Sequence, residues 1–301
     1  MKILKSMSNI VVISDFFIDE TIGGGELNDH ELVELMLDRG HKVYRLKSKN
    51  VTVELLNALI GEDLSTNFII SNFRMLSEEC KRMFYSPTFK NGQLKYMIYE
   101  HDHKYLKTRN PAHYEDYHAP REEIINYEFY SKAMAILCQS QFHADIVKLN
   151  LGFNNIVSLG GNLWASETLD FLEEQSTKPK QENKYSVMES DIPHKNTAEA
   201  AAFCKYKDLD YELIPPQQPL DFLRQLGKNE KLVFFPKTPE TLSRIVVEAR
   251  MMGMTVVANK NIGATKEPWF KFKGKELVDV MREKRNEIPQ QIIGMFNGEP
   301  L

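Results

Sequence analysis

Glu240 and Glu248 lie eight positions apart in the stretch PETLSRIVVEARMMG, residues 239–253. On a helix that spacing is about 12 Å along the axis and roughly 80° around it. Two carboxylates so placed could touch two points of one elongated ligand, each accepting a pair of bonds from a vicinal diol. Arg244 lies between them. A second cluster, Gly23, Gly24 and Gly25, precedes the amphipathic run ELNDHELVELMLDRG. Without Cβ atoms these residues let a ligand approach bare N–H groups and the positive end of a helix dipole, although a flexible turn has the same composition. They do not fit G-x-G-x-x-G, and the chain has no G-x-x-x-x-G-K-[ST], which argues against dinucleotide and P-loop chemistry. His101 and His103 in EHDH have H-x-H spacing, with His113 and His118 nearby. No cysteine or glutamate stands at a standard ligand spacing beside them, so no metal is expected. Asp208 and Asp210 precede a strand instead of following one, which assigns them to solvent.

The segment carrying the glutamates reads as a helix with Thr238 as N-cap, Pro239 in the first turn and Gly253 as the stop. Leu242, Ile245, Val246, Ala249 and Met252 would form its core stripe, leaving Glu240, Arg244, Val247, Glu248 and Met251 opposite. The pattern alone leaves two readings open. Glu240 could complement the helix N-terminus with Glu248 solvated, or this face could line a ligand cleft.

The chain opens strand (NIVVIS), glycine loop, helix, strand (HKVYRL), a parallel βαβ unit. Buried-strand candidates follow at NFIIS, KYMIYE, AMAILCQ and NNIVSLGG. From about Ser166 a short helix and a polar run, STKPKQENK, read as an interdomain connection. A second series of strands (YSVME, YELIP, KLVFFP, MTVVANK) and helices comes after it. The expected fold is α/β, with two Rossmann-like domains facing each other across a cleft at the carboxyl ends of both sheets. Residues 1–165 are expected to form the first domain, 184–273 the second, and 274–301 a C-terminal helix with an interruption at Pro289.

With 301 residues, 42% hydrophobic and 27% charged, the chain has the composition of a globular protein with room for two cores. It has no apolar run long enough to span a membrane. Cys80, Cys138 and Cys204 are few and scattered, which points to a reducing cytoplasm and away from a disulfide framework. The net charge of -4 gives no global attraction to nucleic acid.

The 26 residues PETLSRIVVEARMMGMTVVANKNIGA, 239–264, resemble the E-x7-E segment of retaining glycosyltransferases with the GT-B fold, those similar to family 4. Other pieces agree in order: the glycine loop with its glutamate, YEHD, QSQFH, and Lys195 at the start of a helix. The resemblance implies retaining transfer of a sugar from a nucleoside diphosphate sugar to an acceptor hydroxyl, with no metal and no cofactor beyond that co-substrate. It implies that Glu240 bonds hydroxyls of the moving sugar and Glu248 those of the ribose. Lys195 and the amides near Thr238 would meet the diphosphate, Gly23 to Gly25 would line the donor site, and His101 would reach toward the reacting centre. The C-terminal helix would pack back on the first domain. One departure matters: the arginine that the family places shortly before the lysine is missing from MESDIPHK, so Lys237, Arg244 or a base of the first domain must replace it. A non-catalytic nucleotide-sugar-binding protein is the alternative, and a phosphorylase-like enzyme with lysine-bound pyridoxal phosphate a third.

Acceptor recognition would fall to the first domain. Residues 74–109 carry eight Lys/Arg against four Asp/Glu. Interleaved Phe84, Tyr85, Phe89, Tyr96, Tyr99 and Tyr105 could stack on bases or sugar rings. A phosphate-bearing acceptor is one partner such a segment could meet, including modified DNA of the kind that some phage enzymes glycosylate. The location would then be the host cytoplasm. A solvated loop over core aromatics has the same composition.

Overall fold

The computed structural model describes residues 8–62, 66–86 and 94–299. Its first half runs β1 (Asn9–Ser14), α1 (Gly24–Asp38), β2 (Lys42–Lys47), α2 (Val53–Glu62), β3 (Asn67–Ile70), α3 (Glu78–Tyr85), β4 (Lys95–Glu100), α4 (Tyr127–Ser131), β5 (Ala135–Cys138), α5 (Gln141–Leu151) and β6 (Ile156–Ser158). These six strands form one parallel sheet in the order β2-β1-β3-β4-β5-β6. Apolar side chains leave both faces because each strand alternates. Val11, Ile13, Phe68, Ile70 and Ile98 enter one core, while Ile10, Val12, Ile69, Met97 and Tyr99 enter the other beneath α1.

The second half runs α6 (Ser166–Ser176), β7 (Gln181–Met188), α7 (Thr197–Tyr206), β8 (Tyr211–Ile214), α8 (Pro219–Leu226), β9 (Asn229–Phe234), α9 (Arg244–Met251), β10 (Thr255–Ala258) and α10 (Lys275–Phe296). Its parallel sheet has the order β10-β9-β7-β8. In both sheets the chain reverses direction beside the first strand, so crevices open at the carboxyl ends of β1 and β3 and of β7 and β9. No helix among the described residues is long and apolar enough to cross a membrane.

Two helix expectations need correction. The helix predicted from Pro239 starts only at Arg244, so Glu240 is not on it. Residues 240–242 are drawn instead into a ladder with the loop after β10: Glu240 N–H donates to Asn261 O at 2.8 Å, and Gly263 N–H to Glu240 O at 2.9 Å. The predicted interruption at Pro289 does not occur, since α10 continues through it. A proline removes the donor that would meet the carbonyl four residues back. That carbonyl, Arg285 O, instead accepts from Arg39 Nη2 at 3.1 Å. Leu277, Val278 and Met281 of α10 lie in the second domain's core, and Ile288, Ile292 and Phe296 in the first domain's.

The basic and aromatic segment is also corrected. Phe84, Tyr96, Tyr99 and Tyr105 are fully buried, so these rings hold the domain together and offer no stacking surface, while the half-buried Tyr85 packs against the same core. Phe89 and Lys90 lie outside the described residues.

Candidate functional site

A cavity of about 220 Å³ lies between the domains, lined by Gly24 and Gly25 of α1, His101 and Gln139 from the first sheet's loops, and Lys195, Glu240 and Arg244 from the second domain. Gly23, the α1 N-cap, is extended and offers no side-chain cap; in the first turn the Glu26 carboxylate accepts from its own backbone N–H, which leaves the amides of Gly24 and Gly25 for another partner. Of the neighbouring glycines Gly24 is at a tight approach, while a Cβ on Gly25 would make ordinary contact. A Cβ on Gly24 would stand 3.2 Å from Arg244 Cδ, and one on Gly25 3.4 Å from His101 Cγ.

His101 follows β4 and reaches the cavity with both ring nitrogens engaged. Gln139 Nε2 donates to Nδ1 at 2.7 Å, and Nε2–H points to Asp29 Oδ1 at 2.7 Å. Gln139 Oε1 in turn accepts from Thr241 Oγ1 across the cleft. The ring is therefore held in a fixed orientation between the domains.

Lys195 and Glu240 approach from the loops after β7 and β9 and pair at 2.8 Å. Arg244, in the first turn of α9, lies with its guanidinium 4.4 Å from the Trp164 ring centre and donates from Nη1 to Leu163 O at 2.7 Å. Its Nε is 3.5 Å from Glu248, which also accepts from the Trp164 indole N–H at 2.9 Å. Burial lowers the Arg244 pKa, with Glu248 acting the other way. Glu248 lies behind Arg244 and does not line the cavity. Of the cations that could replace the missing arginine, Arg244 lines the cavity and the exposed Lys237 does not; the half-buried Thr238, expected to offer its amide to the diphosphate, does not line it either. The cavity-lining Ser243 has φ of 77°, a left-handed conformation unusual for serine and a form of strain that recurs at functional sites.

Sequence reasoning passed over Gln139, although it opens the QSQFH segment, and it also missed Asp29, Thr241 and Trp164. Their roles depend on contacts 38 to 140 residues distant in the chain. Further contacts close the cleft. Tyr117 OH donates to Asn261 Oδ1 at 2.7 Å, and Gln141 N–H to Glu267 Oε1 at 2.6 Å. A Cβ on Gly263 would collide with Thr241 O and Ser140 Oγ, where the two domains meet.

The architecture has solved counterparts. Over 97% of this chain and 93% of the other, it is similar to Anabaena HepE in complex with UDP and glucose, with a TM-score of 0.52 at 12% identity. Over 97% of this chain and 95% of the other, it is similar to the catalytic domain of starch synthase IV from Arabidopsis thaliana bound to ADP and acarbose, with a TM-score of 0.55 at 10% identity. The fold is GT-B. No family model matches the chain, and no curated protein matches it in sequence.

In this GT-B chain a pair of buried histidines braces the loop that carries His101. His143 Nε2–H donates to Asp102 O at 3.1 Å, and the His103 ring stands edge-on to it at 5.1 Å. Burial pushes the His103 pKa down to about 4, with Asp102 opposing and Lys104 reinforcing the shift. The unfolded chain therefore binds a proton near pH 6.5 that the folded chain refuses. As pH falls from about 7.5 to about 5, His103 should withdraw about 2 kcal/mol of stability. His143, also held well below the ordinary value by burial, acts in the same direction. Glu100, raised by burial, opposes them above the ordinary carboxylate range. The direct check is the NMR titration of the His103 ring protons, expected near pH 4; a midpoint near 6.5 would remove the effect.

Proposed function

We propose that this chain is a retaining, metal-independent glycosyltransferase that moves a sugar from a nucleoside diphosphate sugar to an acceptor hydroxyl. One observation carries the reading: the uncapped start of α1, Lys195 and Arg244 converge from two domains on a single cavity that also holds the Glu240 carboxylate. The amides and two cations suit a diphosphate whose charge grows as the glycosidic bond breaks. The carboxylate suits sugar hydroxyls. In the step proposed, the bond from sugar to diphosphate breaks, the bond to the acceptor oxygen forms, and the acceptor's proton leaves with the nucleoside diphosphate. Similarity to GT-B structures holding UDP or ADP supports the choice of donor class. Retention rests on the resemblance of residues 239–264. At about 220 Å³ the cavity is smaller than the roughly 300–1,000 Å³ of most ligand sites, so donor entry requires the domains to part. The three buried, unpaired cysteines support a reducing, cytoplasmic location.

A thermal-shift panel of nucleoside diphosphates and nucleotide sugars tests the donor. A ligand at about 100 times its dissociation constant should stabilise the chain by roughly 2.7 kcal/mol. Slow hydrolysis of the bound donor without acceptor, releasing sugar of the donor's anomeric configuration by proton NMR, is the expected companion result. Tight binding with no turnover against any acceptor would favour a non-catalytic binder, and inversion at the anomeric carbon would remove the retaining assignment.

A further inference from the structure

The first domain has a second cavity, of about 530 Å³, between the start of α3 and the loop after β4. Arg74, Lys81, Lys104, Lys107 and Arg109 line it, with Glu78 as the one carboxylate on its wall. The other carboxylates stand behind the cations. Lys104 pairs with Glu100 at 2.9 Å and Asp102 at 2.8 Å, Arg109 with Asp102 at 3.1 Å, and Lys107 with Glu123 at 3.8 Å. The Lys81 and Lys104 side chains are only 8% and 2% exposed. Burial works against the charge on Lys104, but Asp102 and Glu100 outweigh it and hold its pKa above the ordinary lysine value. Arg74 is exposed and has no ion-pair partner among the described residues.

Among the described residues only Lys81 of the five cations meets a carboxylate of the wall, Glu78 at 2.6 Å, whereas in a set of purely structural ion pairs the two charges would alternate there. Here the carboxylates orient buried ammonium groups that face an open volume. That volume falls within the range of small-molecule sites. It adjoins the cleft along one loop: His101 lines the cleft and Lys104 the second cavity, with Asp102 between them. The charge of Arg109 acts on His194, the neighbour of the cleft's Lys195.

We propose that this cavity binds the phosphate of a small phosphorylated acceptor, such as a phosphorylated sugar or polyol, whose free hydroxyl is the one glycosylated. The inference rests on the transferase reading of the cleft. A compact dianion suits several ammonium and guanidinium donors at once. Among the described residues of the segment, Phe84, Tyr96, Tyr99 and Tyr105 are buried and present no row of faces on which successive bases of a single strand could stack, which favours a small molecule over nucleic acid.

The test is calorimetric titration of the full chain, saturated with its nucleoside diphosphate, with glucose 6-phosphate, inorganic phosphate and glucose. A second protein, the double variant Arg74→Ala/Lys107→Ala, removes two exposed cations while leaving the buried pairs and the fold in place. Glucose 6-phosphate should bind the wild type, glucose should not, and the double variant should lose roughly tenfold or more in affinity with its nucleotide affinity unchanged. Equal affinity in both proteins, or phosphate binding only in competition with the nucleotide, would overturn the site. A single-stranded oligonucleotide that binds more tightly than glucose 6-phosphate, and weakens in the same variant, would overturn the small acceptor. Phosphate binding that depends on Arg74 and Lys107 in a chain that binds no nucleotide would keep the anion site and remove the transferase reading instead.

Discussion

Arg244→Ala is expected to weaken nucleoside diphosphate binding by roughly ten- to over a hundredfold, the effect of losing a charge-assisted contact of about 1.5–3 kcal/mol. The expectation follows from the absence of an arginine ahead of Lys195 in MESDIPHK, where Glu189 and Asp191 are both exposed. Arg244 is the cation that stands nearest the α1 glycines, with its aliphatic stem against Gly24. It is also built in: it stacks on Trp164 and braces Glu248, so the alanine variant loses stability as well as affinity. Arg244→Lys separates the two effects. A lysine keeps the charge but not the planar fork that bonds Leu163 O and lies on the indole, so it should recover part of the nucleotide affinity and little of the stability. Calorimetry for binding and scanning calorimetry for stability read the two quantities independently. If Arg244→Ala lowers the melting temperature while the dissociation constant for the nucleotide holds, Arg244 is structural and some other group meets the diphosphate.

The sheets were legible in the sequence because their strands are short, nearly continuous apolar runs. Ile10–Ile13, Phe68–Ile70 and Ala135–Cys138 are each essentially free of solvent, and runs so short and apolar fit buried strands between covering helices. The site was legible in its residue types and not in its backbone. Thr238 and Pro239 have the composition of a helix start, yet the chain from Glu240 to Leu242 bonds to Asn261, Gly263 and Ala264, and the helix begins after a left-handed Ser243. Local propensity lost to hydrogen bonds formed across more than twenty residues, which no short window can show. The same limit hid the Trp164 bond to Glu248, across 84 residues. The aromatics between residues 74 and 109 were misleading for another reason. Tyr96 and Tyr99 lie on a strand covered on both faces, and alternation cannot separate a polar face from a buried one when both faces are buried.

Glu240 and Lys195 set up the most discriminating experiment, because the structure pairs two groups that are proposed to act on different parts of the donor. In the closed chain each satisfies the other at 2.8 Å. When a donor enters, Lys195 is expected to turn to the diphosphate and Glu240 to the sugar hydroxyls. Glu240→Ala should then leave nucleoside diphosphate affinity intact or slightly improved, since it frees the ammonium, while turnover falls by roughly ten- to a hundredfold through the lost sugar contact. Lys195→Ala should weaken the diphosphate and cut turnover by about 10²–10³, the usual effect of removing one group that meets developing charge. Glu248→Ala should act on the nucleotide alone, through the Arg244 that it braces. The double variant Glu240→Ala/Lys195→Ala closes the cycle. If the pair were only a structural clasp, the double variant would be no worse than either single one and every change would appear in stability. If the two residues act on separate parts of the donor, their effects on turnover should approach additivity. Loss of nucleoside diphosphate binding in Glu240→Ala, with Glu248→Ala unaffected, would exchange the two ends of the donor.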